Sequence, residues 1–127
     1  MKTRTDPRHR KRAQTVQDLF AYSFNQSQKV NDQAIEIIKH LPEIDQLVVT
    51  SAPERPLNQI NKLDLAILRL AVYELTVTRN VPFKVVVDEA VELSKEFGAD
   101  SSPQFVNGAL GQLIKVQHLS SWQGYIN

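Results

Sequence analysis

The sequence has 127 residues, 42% hydrophobic and 23% charged, which is enough apolar material for one compact domain and too little length for two. Its 15 Lys and Arg nearly cancel its 14 Asp and Glu, and the formal net charge of +1 by itself points neither to a nucleic-acid binder nor to an acidic tail. The lack of cysteine excludes a disulfide framework, a thiol nucleophile and a thiolate metal site, and four glycines with three histidines leave little for a phosphate-cradling loop or a histidine cage.

The apolar runs fall far short of the ~18–20 residues that span a bilayer, and nothing near Met1 resembles a signal-peptide core. A soluble, cytoplasmic protein without a membrane partner is expected. The charge is distributed unevenly. Met1–Arg12 holds Lys2, Arg4, Arg8, Arg10, Lys11 and Arg12 against the single Asp6, a net of +5, while the remaining residues hold nine basic against thirteen acidic, a net of −4. A basic arm of residues 1–12 therefore precedes a mildly acidic body, and His9 adds charge to the arm below about pH 6.5.

Thr5-Asp6-Pro7 reads as a helix start, with Asp6 as cap and Pro7 in the first helical position. Ala13, Val16, Leu19, Phe20 and Phe24 follow at intervals of three and four, which predicts a first helix from about Pro7 to Asn25. Its first turns carry four cations at the end where the helix dipole is positive, each disfavoured by roughly 0.3–1 kcal/mol. Two explanations stand: a frayed, solvated terminus, or an anion-binding arm whose amides and guanidinium groups face phosphates.

A second helical segment is predicted over about Asn31 to Ser51, capped by Asn31 or Asp32 and interrupted or restarted at Pro42. Ala52-Pro53-Glu54-Arg55-Pro56 is a turn, and Leu57–Ile60 a short turn of helix. Asn61 then caps Lys62 to Arg79, whose apolar residues cover most of the circumference, so this helix is the central, nearly buried one. Arg69 within it calls for a partner if covered. Pro82 opens the next helix, to Phe97, with Gly98 expected as a left-handed stop. Ser101 or Ser102 caps a last helix from Pro103 to about Val116, in which Gly108 and Gly111 are expected to allow close approach of another backbone. The tail, 118–127, has Trp122, Tyr125 and Ile126 as anchors. The fold class is all-α.

Asp88, Glu89, Glu92 and Glu96 sit at helical spacing, and with no histidine nearby in sequence they read as a solvated face rather than a metal or acid/base site. No metal site, cofactor or enzyme is expected. Phe105, near the start of the last helix, is either core or a ring for stacking on a base.

The succession Ala66-Ile67-Leu68-Arg69-Leu70-Ala71-Val72-Tyr73-Glu74-Leu75, Val81-Pro82-Phe83-Lys84-Val85, Asp88 to Gly98 and Phe105-Val106-Asn107-Gly108-Ala109-Leu110 resembles the NusB family of bacterial transcription antitermination factors. A weaker match covers Arg8 to Phe24. The resemblance implies an all-helical bundle of two packed subdomains, here divided as 13–60 and 61–117. It also implies a non-enzymatic role: binding single-stranded boxA RNA of ribosomal transcripts together with NusE, a small-subunit ribosomal protein, and through it joining the RNA polymerase elongation complex. By position, it assigns RNA contact to Arg8, Arg10, Lys11 and Arg12, extended by Lys2 and Arg4, and a second contact to Gln104 and Phe105. His9 stands where a further arginine is often found, and Ser101 where an acid often precedes the second contact. Phe20 and Asp64 fall at positions resembling NusE contacts. Set against the family, the stretch between Phe24 and Asn58 is about one helix short, so the amino-terminal part is expected to be reduced, exposing apolar surface, recruiting the tail through Trp122 and Tyr125, or pairing as a homodimer. An interaction module of the same fold with altered RNA binding is the alternative function.

Overall fold

The computed structural model describes residues 6–117; Lys2, Arg4 and the 118–127 tail lie outside the described residues. Six α-helices follow one another: α1 Pro7–Tyr22, α2 Asp32–Lys39, α3 Leu41–Ser51, α4 Lys62–Tyr73, α5 Phe83–Phe97 and α6 Ser102–Val116, with a 3₁₀ turn at Leu57–Gln59 and a π-helical turn at Glu74–Thr78. No strand occurs among the described residues. The fold is all-α.

The helix starts follow the local chemistry of the sequence. Asp6 accepts a hydrogen bond from the Arg8 N–H at 2.8 Å, with Pro7 behind it in the first turn. Asn31 accepts from the Ala34 N–H at 2.9 Å and caps α2. Pro42 has no N–H to continue that helix, so α2 ends at Lys39 and α3 restarts at Leu41. The stretch between Phe24 and Asn58 thus holds two short helices, α2 and α3.

α4 is the middle of the molecule. It packs against α1, α2, α3, α5 and α6, and Leu65 to Val72 are buried except for Arg69. Arg69 finds its partner on α3, donating from Nε and Nη2 to the two oxygens of Asp45 at 2.9 Å each. One continuous apolar core joins Val16 and Leu19 of α1, Ile37 of α2, Ile44 and Val48 of α3, most of α4, Val86 and Leu93 of α5, and Val106, Leu110 and Leu113 of α6.

Three glycine and carboxylate expectations are corrected. Gly98 ends α5 in an extended conformation (φ −93°), not a left-handed one; it is glycine because a Cβ there would lie 2.6 Å from Ser102 Oγ and 2.7 Å from Ser94 O. The left-handed residue is Arg79 (φ 50°), which closes the π turn by donating its N–H to Glu74 O at 3.0 Å. Gly108 and Gly111 admit no neighbouring backbone: nothing lies within 4 Å of a Cβ at either, and both are exposed. The α5 carboxylates do not form one solvated face, since Glu89 is buried while Asp88 and Glu92 are exposed.

Candidate nucleic-acid interface

The helical period divides the cations of α1. His9, Arg12, Val16 and Leu19 fall on the side turned towards the body, and Arg8, Arg10 and Lys11 face solvent. Arg12, expected as an RNA contact, is largely covered and paired with the body. Its Nε and Nη2 each donate to a Glu74 oxygen at 2.8 Å, and Nη1 lies 3.7 Å from Glu89 Oε1. The pairing has a simple cause: a residue three positions after buried His9 shares its face.

His9 is clasped between two carboxylates of α5, with Nδ1 3.0 Å from Glu89 Oε1 and Nε2 2.8 Å from Glu96 Oε1. Both ring nitrogens therefore meet acceptors, which suits the doubly protonated imidazolium. Burial alone pushes the His9 pKa down, but the hydrogen bonds and charges of Glu89 and Glu96 outweigh it and hold the pKa above its ordinary 6.5. The inward pair His9 and Arg12 thus fastens the start of α1 to the π turn and α5, and leaves Arg8, Arg10 and Lys11 exposed around its outer side. Arg8 is also bonded to Asp6, whose carboxyl it holds below the usual range. Lys2 and Arg4 lie outside the described residues.

At the second expected contact, Gln104 is exposed on the first turn of α6 and Phe105 is partly buried against the core. A residue missed in the sequence joins them: the Arg55 guanidinium lies 4.0 Å over the centre of the Phe105 ring. Its signal was weak, a lone arginine in a proline-bounded turn. Gln104 stands between two grooves. One, of about 670 Å³, is lined by Asp88, Glu92, Lys95 and Asn107, and the other, of about 470 Å³, by Ala52, Phe105, Gly108 and Gln112. The first groove carries two acids and Lys95, and the second a single acid, Glu54, next to Arg55.

The two expected partner residues differ in exposure. Phe20 is half-buried and meets Phe24 edge-on, ring centres 5.0 Å apart, and Phe24 is 64% exposed with Lys62 Nζ 5.7 Å above it. Asp64, in the first turn of α4, is buried, and its Oδ1 has no hydrogen-bond partner. Phe24 continues the apolar spacing of α1 but lies past its end at Tyr22, and periodicity does not distinguish its exposure.

The described residues thus form an all-α bundle with exposed cations at the start of α1 and a polar-aromatic start to α6. Residues 25–115 match the model of the NusB family, and the chain belongs to that family. It is 48% identical over 73 residues to the transcription antitermination protein NusB of Shewanella sp. (strain W3-18-1), covering 58% of this chain and 54% of that protein. It is 44% identical over 85 residues to the protein of the same name from Agathobacter rectalis, covering 67% and 65%. The chain spans about half the length of the first of these curated relatives and somewhat more of the second. Among solved structures it is similar to T. maritima NusB, with a TM-score of 0.77 and 29% identity over 95% of this chain and 99% of that one. Among the described residues no helix is long and apolar enough to cross a membrane.

Proposed function

We propose that the chain is a non-enzymatic transcription antitermination factor that binds boxA-type single-stranded RNA of ribosomal transcripts together with NusE. The observation that carries the reading is the set of exposed cations Arg8, Arg10 and Lys11 on the first two turns of α1, a helix start anchored by the inward His9 and Arg12. Cations placed at a helix start are locally unfavourable, and a phosphate ligand reverses the sign of that cost. Three outward cations correspond to about three phosphate contacts, and a slope of log affinity against log salt near −0.7 × 3 for a single strand.

The test is RNA binding by the chain, with and without NusE, comparing boxA with a scrambled strand across a salt series. A boxA preference that NusE strengthens, and that falls when Arg8, Arg10 and Lys11 are replaced by alanine, supports the reading. Salt-independent binding, or binding untouched by those replacements, overturns it. The exposed Phe24 and the unpartnered Asp64 Oδ1 favour a second reading, a protein-interaction module whose complex with NusE is unaffected by RNA. A NusE complex that boxA neither tightens nor alters would select it.

A further inference from the structure

We infer that Arg55, and not the ring of Phe105, is the surface on which an RNA base stacks, so that base, guanidinium and ring form three layers. The inference rests on the RNA-binding reading above. One side of Phe105 packs on the core and the guanidinium sits 4.0 Å over the ring centre, so the guanidinium lies between the ring and an arriving base. Bases stack on guanidinium planes as they do on aromatic rings, and a planar cation on a ring is already flat and oriented.

Arg55 is prepared for this by its backbone. Its N–H donates to Ala52 O at 3.1 Å, closing a turn bounded by Pro53 and Pro56, which fix their own φ angles and leave less freedom to lose on binding. Arg12 and Arg69 each commit two nitrogens to a carboxylate, whereas among the described residues Arg55 forms no ion pair. The N–H edges of its guanidinium are therefore free for a phosphate of the stacked nucleotide, a charge-assisted contact. Beside it, the groove of about 470 Å³, lined by Gln104, Gln112 and one acid, Glu54, falls within the roughly 300–1,000 Å³ of small-ligand sites. Gly108 forms part of its wall, with no side chain in the way and open space above it.

The experiment measures anisotropy of a short fluorescein-labelled boxA-type strand with the full chain, with and without NusE. Arg55→Ala is expected to weaken binding about tenfold, within the range for loss of one stacked base, and to reduce the salt slope by about 0.7. Arg55→Lys restores the slope but not the affinity. Phe105→Leu weakens binding in the unaltered chain and has little further effect after Arg55→Ala, because the two act as one stack. Unchanged or tighter binding by Arg55→Ala, or losses that simply add, overturn the inference, as does an acidic peptide that displaces the strand as well as unlabelled RNA does. If Arg8→Ala with Arg10→Ala weakens binding while Arg55→Ala does not, only the stack is overturned. If neither matters, or the unaltered chain binds no RNA, the RNA-binding reading fails with it.

Discussion

Arg12 and Glu74 are joined by two parallel hydrogen bonds of 2.8 Å each, across 62 residues of sequence, with both side chains largely covered. The pair ties the basic helix start to the π turn that follows α4. Removing one partner leaves the other charge buried, so Arg12→Ala is expected to lower the unfolding free energy by about 3 kcal/mol. Arg10→Ala, on the outward side, should change it by less than about 0.5 kcal/mol. Urea denaturation of the two variants separates them. RNA affinity is expected to divide them the other way, Arg10→Ala losing affinity while its stability holds.

The His9 clasp makes stability depend on pH. Its folded pKa is raised above the ordinary 6.5, so the stabilisation is fully present below about pH 6.5 and is lost as pH rises through the raised folded value. Thermal unfolding midpoints should fall over that interval. His9→Gln should unfold more easily below about pH 6.5 and show a flatter profile over the interval above it. A profile unaltered by His9→Gln would exclude His9 as its source.

Glycine substitutions are expected to have opposite signs in neighbouring places. At Gly98 a methyl group would meet Ser102 and the Ser94 carbonyl, so Gly98→Ala should destabilise by about 1–3 kcal/mol. At Gly108 and Gly111 a methyl group meets nothing within 4 Å, and alanine should stabilise α6 by about 0.5–1 kcal/mol each. Calorimetry of the three variants checks the signs.

Asp64 keeps a buried oxygen without a donor, a group that costs stability in the isolated chain. Asp64→Leu is therefore expected to raise the unfolding free energy by about 1 kcal/mol, and to weaken capture of NusE if the partner supplies the missing donor. Phe24→Ser, at a largely exposed ring, should leave the melting temperature nearly unchanged and weaken the same complex. Calorimetric titration with NusE measures both.

The helices themselves were legible because caps, prolines and apolar spacing are local. Asp6, Asn31 and Asn61 cap α1, α2 and α4 as their side chains suggest, and Pro42 divides the second segment. What the sequence concealed is pairing across distance. Nothing near Arg12 announces Glu74, and nothing near His9 announces Glu89 and Glu96, so the arm read as six interchangeable cations when the helical period had already turned one of them, with His9, inward. Arg55 was hidden for the same reason, since a cation in a turn shows its ring partner only once α6 is placed beside α3. The glycines misled in another way, because an absent side chain is equally suited to a crowded position and to an empty one.

Because α4 touches every other helix, no group of helices can be peeled away without uncovering it. Neither half of the chain has a complete apolar interior without this one segment. Unfolding should therefore be a single cooperative event for α1 through α6, with the amides of Leu65 to Val72 exchanging with solvent only when the whole domain opens. A break in the chain within α4 would abolish both halves together, whereas one in the exposed turn at Pro53–Pro56 leaves α4 whole, with the face on which α1 to α3 dock.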